Sequence, residues 1–167
     1  MRNGKRFGRA VAVLATVAAA AALAVPGSAT AAANPQARHR VINYAGRCLD
    51  VWGSSPHDGA QIVQNPCTSA ESQTFGFNPG SLHDQEVHTF VGKCWDVPGR
   101  KPHLGVIQYH CNTGVNQKFR FVPTVGGKYE IRVLESWCLT AIDGSVSGAR
   151  IHLYPCTGES SQKFTVE

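Results

Sequence analysis

The sequence predicts an all-β domain made of three copies of one short repeat, and three observations support this prediction. Six cysteines fall into three evenly spaced pairs, and the first cysteine of each pair recurs after 46 and then 44 residues. A Gln-x-Phe sequence follows each pair with nearly the same period. Short apolar runs alternate with Gly, Pro and Asn turn signals, as in β-sandwiches and β-barrels. Since one copy cannot bury its apolar face alone, the copies should stack with threefold pseudo-symmetry.

The first 33 residues have the composition of a secretory signal. Four basic residues precede an apolar run at residues 11–25, and Pro26 then breaks any helix. Alanines up to Ala33 fit the small-x-small pattern of a cleavage site. The apolar run is shorter than the roughly 20 residues that a membrane-spanning helix needs. We therefore expect residues 1–33 to be a cleaved signal peptide and residues 34–167 to be one secreted, extracellular domain without membrane insertion.

Removal of this segment changes the charge of the chain. The whole sequence has 16 Lys and Arg against 11 Asp and Glu, and the segment contains four of the basic residues and none of the acidic ones. The mature domain is therefore almost neutral. Nucleic-acid binding requires clustered Lys and Arg on the phosphates, so the charge pattern excludes a nucleic-acid partner.

The cysteines predict three disulfides, because an exported domain of this size with an even number of cysteines is typically cross-linked. Six cysteines allow 15 connectivities. The repeat favours the one in which each copy closes its own loop. The expected bridges are Cys48–Cys67, Cys94–Cys111 and Cys138–Cys156.

Short strands are expected at three equivalent places in each repeat. Strands should enter the repeats at residues 40–44, 89–91 and 129–134. They should follow the first cysteines at 49–51, 95–97 and 139–141, and precede the second cysteines at 61–63, 106–109 and 150–154. No amphipathic helical pattern is present after the signal segment.

Two landmarks of each copy resemble the repeats of the ricin-B-type lectins, a family of carbohydrate-binding modules. Residues 46–51 read Gly-Arg-Cys-Leu-Asp-Val and residues 73–75 read Gln-Thr-Phe; residues 92–97 with 116–119 match equally well, and residues 137–140 with 162–164 match partly. The resemblance implies a β-trefoil with twelve strands and three lobes, at about residues 40–86, 87–131 and 132–167. It also implies one potential sugar site per lobe. The family's Gln-x-Trp carries Phe in each copy here, and we expect Phe75, Phe119 and Phe164 to fill the same core positions with a smaller ring.

The resemblance assigns the best sugar site to lobe two. The family pattern places an Asp two residues after the first cysteine, an aromatic residue two before the second, and an Asn just before the Gln of the Gln-x-Phe sequence. Lobe two has all of these residues, namely Asp96, Tyr109, Asn116 and Gln117. A carboxylate or amide accepts adjacent sugar hydroxyls and a ring stacks on the sugar's C–H face. Gln117 is expected mainly to satisfy backbone groups and to have a minor role in binding.

The other two lobes depart from this pattern. Lobe one has Asp50, with Asn65 at the aromatic position and Ser72 at the Asn position, and Trp52 is a candidate to supply a ring from the other side. Lobe three has Tyr154 but carries Thr140 and Ser161 in place of the Asp and the Asn. A hydroxyl cannot accept two hydrogen bonds from neighbouring sugar hydroxyls as a carboxylate does. Lobe three is therefore expected to be the weakest site.

The sequence favours binding over catalysis. It contains no Gly-x-Ser-x-Gly, His-Glu-x-x-His or phosphate-loop pattern, and Asp50 and Asp96 belong to different lobes, which disfavours a paired-carboxylate glycosidase. The seven histidines lack ligand spacing, so no metal or other cofactor is expected. The expected ligand is a galactose-type sugar or a plant or cell-wall polysaccharide. The alternatives are a trefoil that binds a protein, as an inhibitor or adhesion factor with vestigial sugar sites, and a module of a larger enzyme. The second is disfavoured because the signal leads directly into the repeats and the chain ends at Glu167.

Overall fold

A computed structural model describes residues 37–100 and 104–167, together with Met1; the predicted signal segment otherwise lies outside the described residues. The described part contains twelve short strands and five 3₁₀ turns, and no α-helix. No helix among these residues is long and apolar enough to cross a membrane. The strands are β1 (Arg38–His39), β2 (Val41–Ile42), β3 (Arg47–Val51), β4 (Ile62–Pro66), β5 (Phe75–Gly76), β6 (Cys94–Asp96), β7 (Ile107–Tyr109), β8 (Phe119–Pro123), β9 (Tyr129–Val133), β10 (Trp137–Thr140), β11 (His152–Pro155) and β12 (Thr165–Val166).

The strands form antiparallel sheets that repeat with threefold pseudo-symmetry. In every lobe the strand after the first cysteine pairs with the strand before the second: β3 with β4, β6 with β7 and β10 with β11. A 3₁₀ turn then precedes each Gln-x-Phe phenylalanine. The C-terminal strand β12 pairs with β2, so the two ends of the domain close the structure on each other. This arrangement is the β-trefoil that the family resemblance implies.

One backbone ring joins the three lobes at the centre of the fold. The N–H of Ile62 donates to the carbonyl of Val106 at 2.8 Å, and the N–H of Val106 donates to the carbonyl of Ile151 at 2.9 Å. The N–H of Ile151 closes the ring by donating to the carbonyl of Ile62 at 3.0 Å. These three residues stand at the same place in their repeats, five positions before the second cysteine. Each lobe therefore supplies one donor and one acceptor to the others.

The core is built from equivalent positions of the three repeats. Phe75, Phe119 and Phe164 are fully buried, as expected for the Gln-x-Phe aromatic. The residue after the first cysteine is Leu in lobes one and three but Trp95 in lobe two. The Trp95 ring meets Phe75 and Phe119 edge-on, with centroid separations of 4.9 and 5.6 Å, a geometry that aromatic rings prefer. The larger indole of Trp95 thus packs in the core against the smaller rings of Phe75 and Phe119.

The three disulfides have the predicted connectivity. Cys48 bonds Cys67, Cys94 bonds Cys111 and Cys138 bonds Cys156, with Cα–Cα separations of 4.9–5.1 Å. The described residues include no free cysteine. In each lobe the disulfide joins the two paired strands near one end, because the first cysteine is the first or second residue of its strand.

The predicted strand at residues 89–91 is wrong. Phe90 and Val91 lie in a turn, and the lobe-two counterparts of β1 and β2 are reduced to isolated bridges at Gln85 and His88. The other expected segments overlap observed strands, with shifts of up to three residues at their ends. The apolar side chains at 90 and 91 resemble a strand in the sequence. In the structure, Thr89 and Lys93 instead close the turn through a backbone hydrogen bond of 2.7 Å.

Candidate functional site

Each repeat uses the glutamine of its Gln-x-Phe sequence in the same way. Oε1 of Gln117 accepts the N–H of Asn112 at 2.8 Å, and Nε2 donates to the carbonyl of His110 and to Oδ2 of Asp96. Gln73 and Gln162 make the corresponding bonds in lobes one and three. Both amide hydrogens of Gln117 are therefore used inside the lobe, and its side chain is fully buried. Its role in this geometry is to orient Asp96.

The strand register places the acidic and aromatic positions side by side in every lobe. In lobe two Asp96 pairs with Ile107, and Tyr109 pairs with Cys94. Tyr109 is therefore the diagonal neighbour of Asp96 on the same face of the β-ribbon, close enough for long side chains to interact. The same register relates Asp50 to Asn65 and Thr140 to Tyr154.

In lobe two, two amides orient the carboxylate of Asp96. Oδ2 accepts Nδ2 of Asn116 and Nε2 of Gln117, both at 2.8 Å. Oδ1 of Asp96 takes part in no hydrogen bond among the described residues. It is also not one of the buried side-chain oxygens that lack a partner, which Oδ1 of Asp50 is. The Tyr109 ring is half-buried and contacts the His110 ring in a tilted arrangement, with a centroid separation of 4.2 Å and an interplanar angle of 39°. Asp96, Tyr109, Asn116 and Gln117 thus come together, and one carboxylate oxygen remains available as an acceptor.

Lobe one has the same carboxylate, but its surroundings differ. Oδ2 of Asp50 accepts Nδ2 of Asn65 and Nε2 of Gln73, both at 3.0 Å. Oδ1 of Asp50 is buried and has no partner. The hydroxyl of Ser54 donates to that of Ser72 at 3.1 Å, and Ser72 occupies the position of Asn116 in lobe two. Asn65 therefore replaces the ring of Tyr109 with a polar contact, and the second carboxylate oxygen does not reach solvent.

The ring of Trp52 contacts the third repeat. More than half of its surface is exposed. A β-carbon built on Gly148 would lie only 2.9 Å from Cζ3 of the indole, so the ring rests directly on the backbone at Gly148. Sequence reasoning placed Trp52 in lobe one, and the structure places its ring against lobe three.

Lobe three has a cavity of about 590 Å³ at the site position. The hydroxyl of Thr140 donates to the carbonyl of Cys138 and accepts Nε2 of Gln162, both at 3.1 Å. Tyr154 and Ser161 also line the cavity, as their positions in the repeat predict. Tyr44 lines it too, although this residue belongs to lobe one. No pattern within a single repeat could identify Tyr44, because the contact arises from the packing of two repeats.

A charged cluster joins lobes one and two beside Tyr109. Asp58, in the loop after β3, accepts hydrogen bonds from Lys93 Nζ and His110 Nδ1, at 2.5 and 3.2 Å. The hydrogen bond from Lys93, assisted by that from His110, lowers the pKa of the Asp58 carboxyl below its ordinary value. The cluster holds His110, whose ring contacts that of Tyr109 in a tilted arrangement.

One group of potential metal ligands lies near the lobe-two disulfide. The ligand atoms of Glu86, His88, Cys94 and Cys111 all lie within 4.8 Å of one another. The two sulfurs are joined in a disulfide, and only a thiolate is an effective metal ligand. One carboxylate and one imidazole remain, and Glu86 also pairs with Lys118 at 3.0 Å. This cluster does not have the donor set of a metal site.

A larger groove lies outside the three site positions. Its volume is about 760 Å³, and its lining includes Leu82, Val115, Phe121 and Leu134. The cationic side chains along it are already paired: Arg120 with Asp84 and Lys118 with Glu86. Arg132, which also lines the groove, pairs with Glu130. Glu135 lines it as well and forms no ion pair among the described residues, but a single exposed carboxylate does not define a ligand.

Comparison with known proteins identifies the repeats. Residues 37–124 and 85–167 match the profile of the ricin-type beta-trefoil lectin domain. The designed threefold-symmetric protein ThreeFoil is 26% identical with a TM-score of 0.70, covering 77% of this chain and 96% of its own. The C-half of the earthworm R-type lectin in complex with GalNAc is 16% identical, with a TM-score of 0.62 and coverage of 78% and 97%.

The Macrolepiota procera ricin B-like lectin in complex with lactose is 14% identical, with a TM-score of 0.64 and coverage of 80% and 96%. At such identities the two lectin structures establish the shared fold. A search of curated protein sequences gives no significant match.

Proposed function

The chain belongs to the family of ricin-type beta-trefoil lectin domains, and from this premise we propose that it is an exported, non-catalytic lectin that binds sugar mainly through lobe two. One observation supports the choice of lobe. Oδ2 of Asp96 is held by Asn116 and Gln117, no hydrogen bond among the described residues uses Oδ1, and the strand register makes Tyr109 the diagonal neighbour of Asp96. Lobe one buries the corresponding oxygen of Asp50. Lobe three has no carboxylate at this position.

The chemistry of this arrangement fits a neutral sugar. Asp96 Oδ1 is an ionised acceptor, and hydrogen bonds to charged acceptors are stronger than neutral ones. The amides of Asn116 and Gln117 hold the carboxylate in place before ligand binds, which reduces the ordering cost of binding. Tyr109 offers a face on which the C–H side of a sugar ring can stack. The contribution of lobe one, through Asp50, is secondary in this proposal, because the ring of Trp52 lies against Gly148 of lobe three.

A galactose-type sugar is the first ligand to test. The earthworm and Macrolepiota procera structures hold GalNAc and lactose, respectively. About three net hydrogen bonds of about 1 kcal/mol each and about 1 kcal/mol from stacking give about 4 kcal/mol in total. This corresponds to a dissociation constant near millimolar. We therefore expect a monosaccharide to bind weakly.

The test combines a glycan array with calorimetry on the mature protein. The array identifies a ligand, and Asp96→Asn should then weaken the binding of that monosaccharide at least tenfold, because an amide replaces the charged acceptor. Asp84→Asn is the matched control: it makes the same change at an exposed aspartate that pairs with Arg120 outside all three lobe sites. No binding to any glycan, or full binding by Asp96→Asn, would refute the proposal.

Export is part of the same proposal. The basic start, apolar run and small residues of positions 1–33 support cleavage of a signal segment before Asn34. N-terminal sequencing of protein recovered from the culture medium should start between Ala32 and Asn34. Recovery of the chain only inside cells with Met1 retained would contradict export without affecting the assignment of the sugar site.

A further inference from the structure

Exposed apolar side chains gather where lobe three meets lobe one. Tyr44 and Trp52, from lobe one, are 43% and 55% exposed. Ile142 and Val146, from the loop between β10 and β11, are 45% and 54% exposed. We call these four residues the junction platform. Such a concentration of exposed rings and aliphatic groups is typical of a binding surface.

Both rings of the junction platform rest on glycine backbone. A β-carbon on Gly144 would lie 2.5 Å from Cζ of Tyr44, and one on Gly148 would lie 2.9 Å from Cζ3 of Trp52. Gly148 has a φ of +77°, which alone favours glycine. Gly144 does not have a positive φ, so its backbone conformation does not require glycine. The need for glycine at 144 comes from the Tyr44 ring.

The loop under the rings is fixed by amide side chains of lobe one. Nδ2 of Asn43 donates to the carbonyl of Gly144 at 2.9 Å, and Nε2 of Gln64 donates to that of Val146 at 3.1 Å. The N–H of Gly148 donates to Oδ1 of Asn65 at 3.0 Å. Asn43 also donates to Gln64 Oε1 at 2.7 Å, so the two amides support each other. The junction platform is therefore preorganised, which lowers the entropy cost of binding.

The junction platform continues into the lobe-three cavity. Tyr44 and Ile142 belong to both, whereas Trp52 lies outside the cavity. The remaining lining is mainly hydroxyl groups, one amide and the Tyr154 ring; it contains a single carboxylate, Glu159, and no Lys or Arg. This lining suits an uncharged ligand rich in hydroxyl groups, and exposed rings suit the C–H faces of sugars.

We propose that the junction platform and the lobe-three cavity together bind one chain of a neutral polysaccharide across the boundary between lobes three and one. The inference rests on the proposed carbohydrate-binding function and adds the class of ligand. A single sugar can occupy the cavity without touching Trp52. Because Trp52 is not part of the cavity lining, a ligand that contacts both the cavity and Trp52 must extend beyond the cavity, as a chain of sugars does. Polymer binding through linked contacts then exceeds monosaccharide binding at lobe two.

The test measures polymer and monosaccharide binding separately on the mature protein. Affinity electrophoresis in gels containing soluble xylan or galactan reports the polymer, and calorimetry with the best monosaccharide of the array reports lobe two. Trp52→Ala and Tyr44→Ala should each weaken polymer binding roughly five- to tenfold, the size of one lost ring contact. Monosaccharide binding should not change. Val125→Ala, which truncates an exposed side chain in the β8–β9 turn, should leave both unchanged.

Gly144→Ala is a second variant that retains both rings. Its β-carbon displaces the Tyr44 ring, so polymer binding should fall although no aromatic residue is removed. Circular dichroism checks that each variant folds.

The outcomes separate the two proposals. A wild-type protein that binds the monosaccharide but neither polymer, or a Trp52→Ala variant that binds polymer as the wild type does, overturns the inference and leaves the lobe-two site intact. A protein that binds no glycan overturns the proposed function as well. Sedimentation that shows a dimer lost in Trp52→Ala would make the junction platform an interface between copies and would also overturn the inference.

Discussion

Oδ1 of Asn116 lies 2.6 Å from the position that a β-carbon would occupy on Gly114. The two residues are coupled, because a side chain at residue 114 would displace the Asn116 amide, together with that of Asn112, whose Oδ1 lies 2.8 Å from the same position. The other two lobes have the shorter serine at the position of Asn116, and there the residue two positions earlier has a side chain: Ala70 before Ser72, and Glu159 before Ser161. Gly114 has a φ of −61°, which any residue can adopt, so the glycine reflects the neighbouring side chain and not the backbone.

Gly114→Ala should weaken sugar binding in lobe two while the protein remains folded. The added methyl group displaces Asn116, which then holds Asp96 less well. Calorimetry should show a loss of about fivefold to tenfold, about 1 kcal/mol of hydrogen-bond energy. The double variant Gly114→Ala/Asn116→Ser, which copies lobe one, should recover the thermal stability of the wild type but not its affinity. An unchanged affinity in Gly114→Ala would show that Asn116 does not orient the carboxylate.

Removal of any one disulfide should destabilise the domain by a similar amount. The three loops span 19, 17 and 18 residues, and the chain-entropy estimate for loops of this size is about 3 kcal/mol. Urea unfolding of the three double Cys→Ser variants measures the free energy of unfolding. A much larger cost for one bridge would mean that its lobe depends on the cross-link for packing and not only for chain entropy.

Glu135→Gly should stabilise the protein. Leu134 and Glu135 have φ values of +50° and +67° in the turn between β9 and β10, and a non-glycine residue there costs about 1–2 kcal/mol. Glycine loses about 0.4–1 kcal/mol through the entropy of the unfolded chain, which leaves a net gain of about 0.5–1 kcal/mol. The matched control is Gly46→Ala in the equivalent turn of lobe one: its φ is +75° with open space around it, so this change should destabilise. Melting temperatures that move in the same direction for both variants would contradict the account.

The contact between Asp58 and Lys93 should stabilise the protein only above the acid range. Because the folded pKa of Asp58 is lowered by the Lys93 hydrogen bond, the contribution is present above the unfolded pKa near 4 and is lost as the pH falls through the folded value. Asp58→Asn should therefore lower the melting temperature slightly at pH 7 and have no effect near pH 2. A difference that persists at pH 2 would assign the effect to packing.

The sequence carried the periodic features of the fold because they recur in each repeat. The disulfide pairs, the Gln-x-Phe core and the strands around each cysteine all follow from local spacing. The strand expected at 89–91 was wrong because two apolar residues resemble a strand even where Thr89 and Lys93 close a turn. A pattern within one repeat contains no information on which lobes contact each other. The sequence therefore did not predict Tyr44 in the lobe-three cavity or the contact between Trp52 and Gly148.

The hydrogen-bond ring of Ile62, Val106 and Ile151 makes the three repeats depend on one another. Each repeat donates one N–H to the next repeat and accepts one from the previous repeat, so all three bonds cross a boundary between repeats. A fragment that lacks one repeat leaves one of these donors and one of these acceptors without its partner, and unpaired buried backbone groups are strongly disfavoured. The three lobes should therefore unfold as one cooperative unit, and no single lobe should be stable on its own.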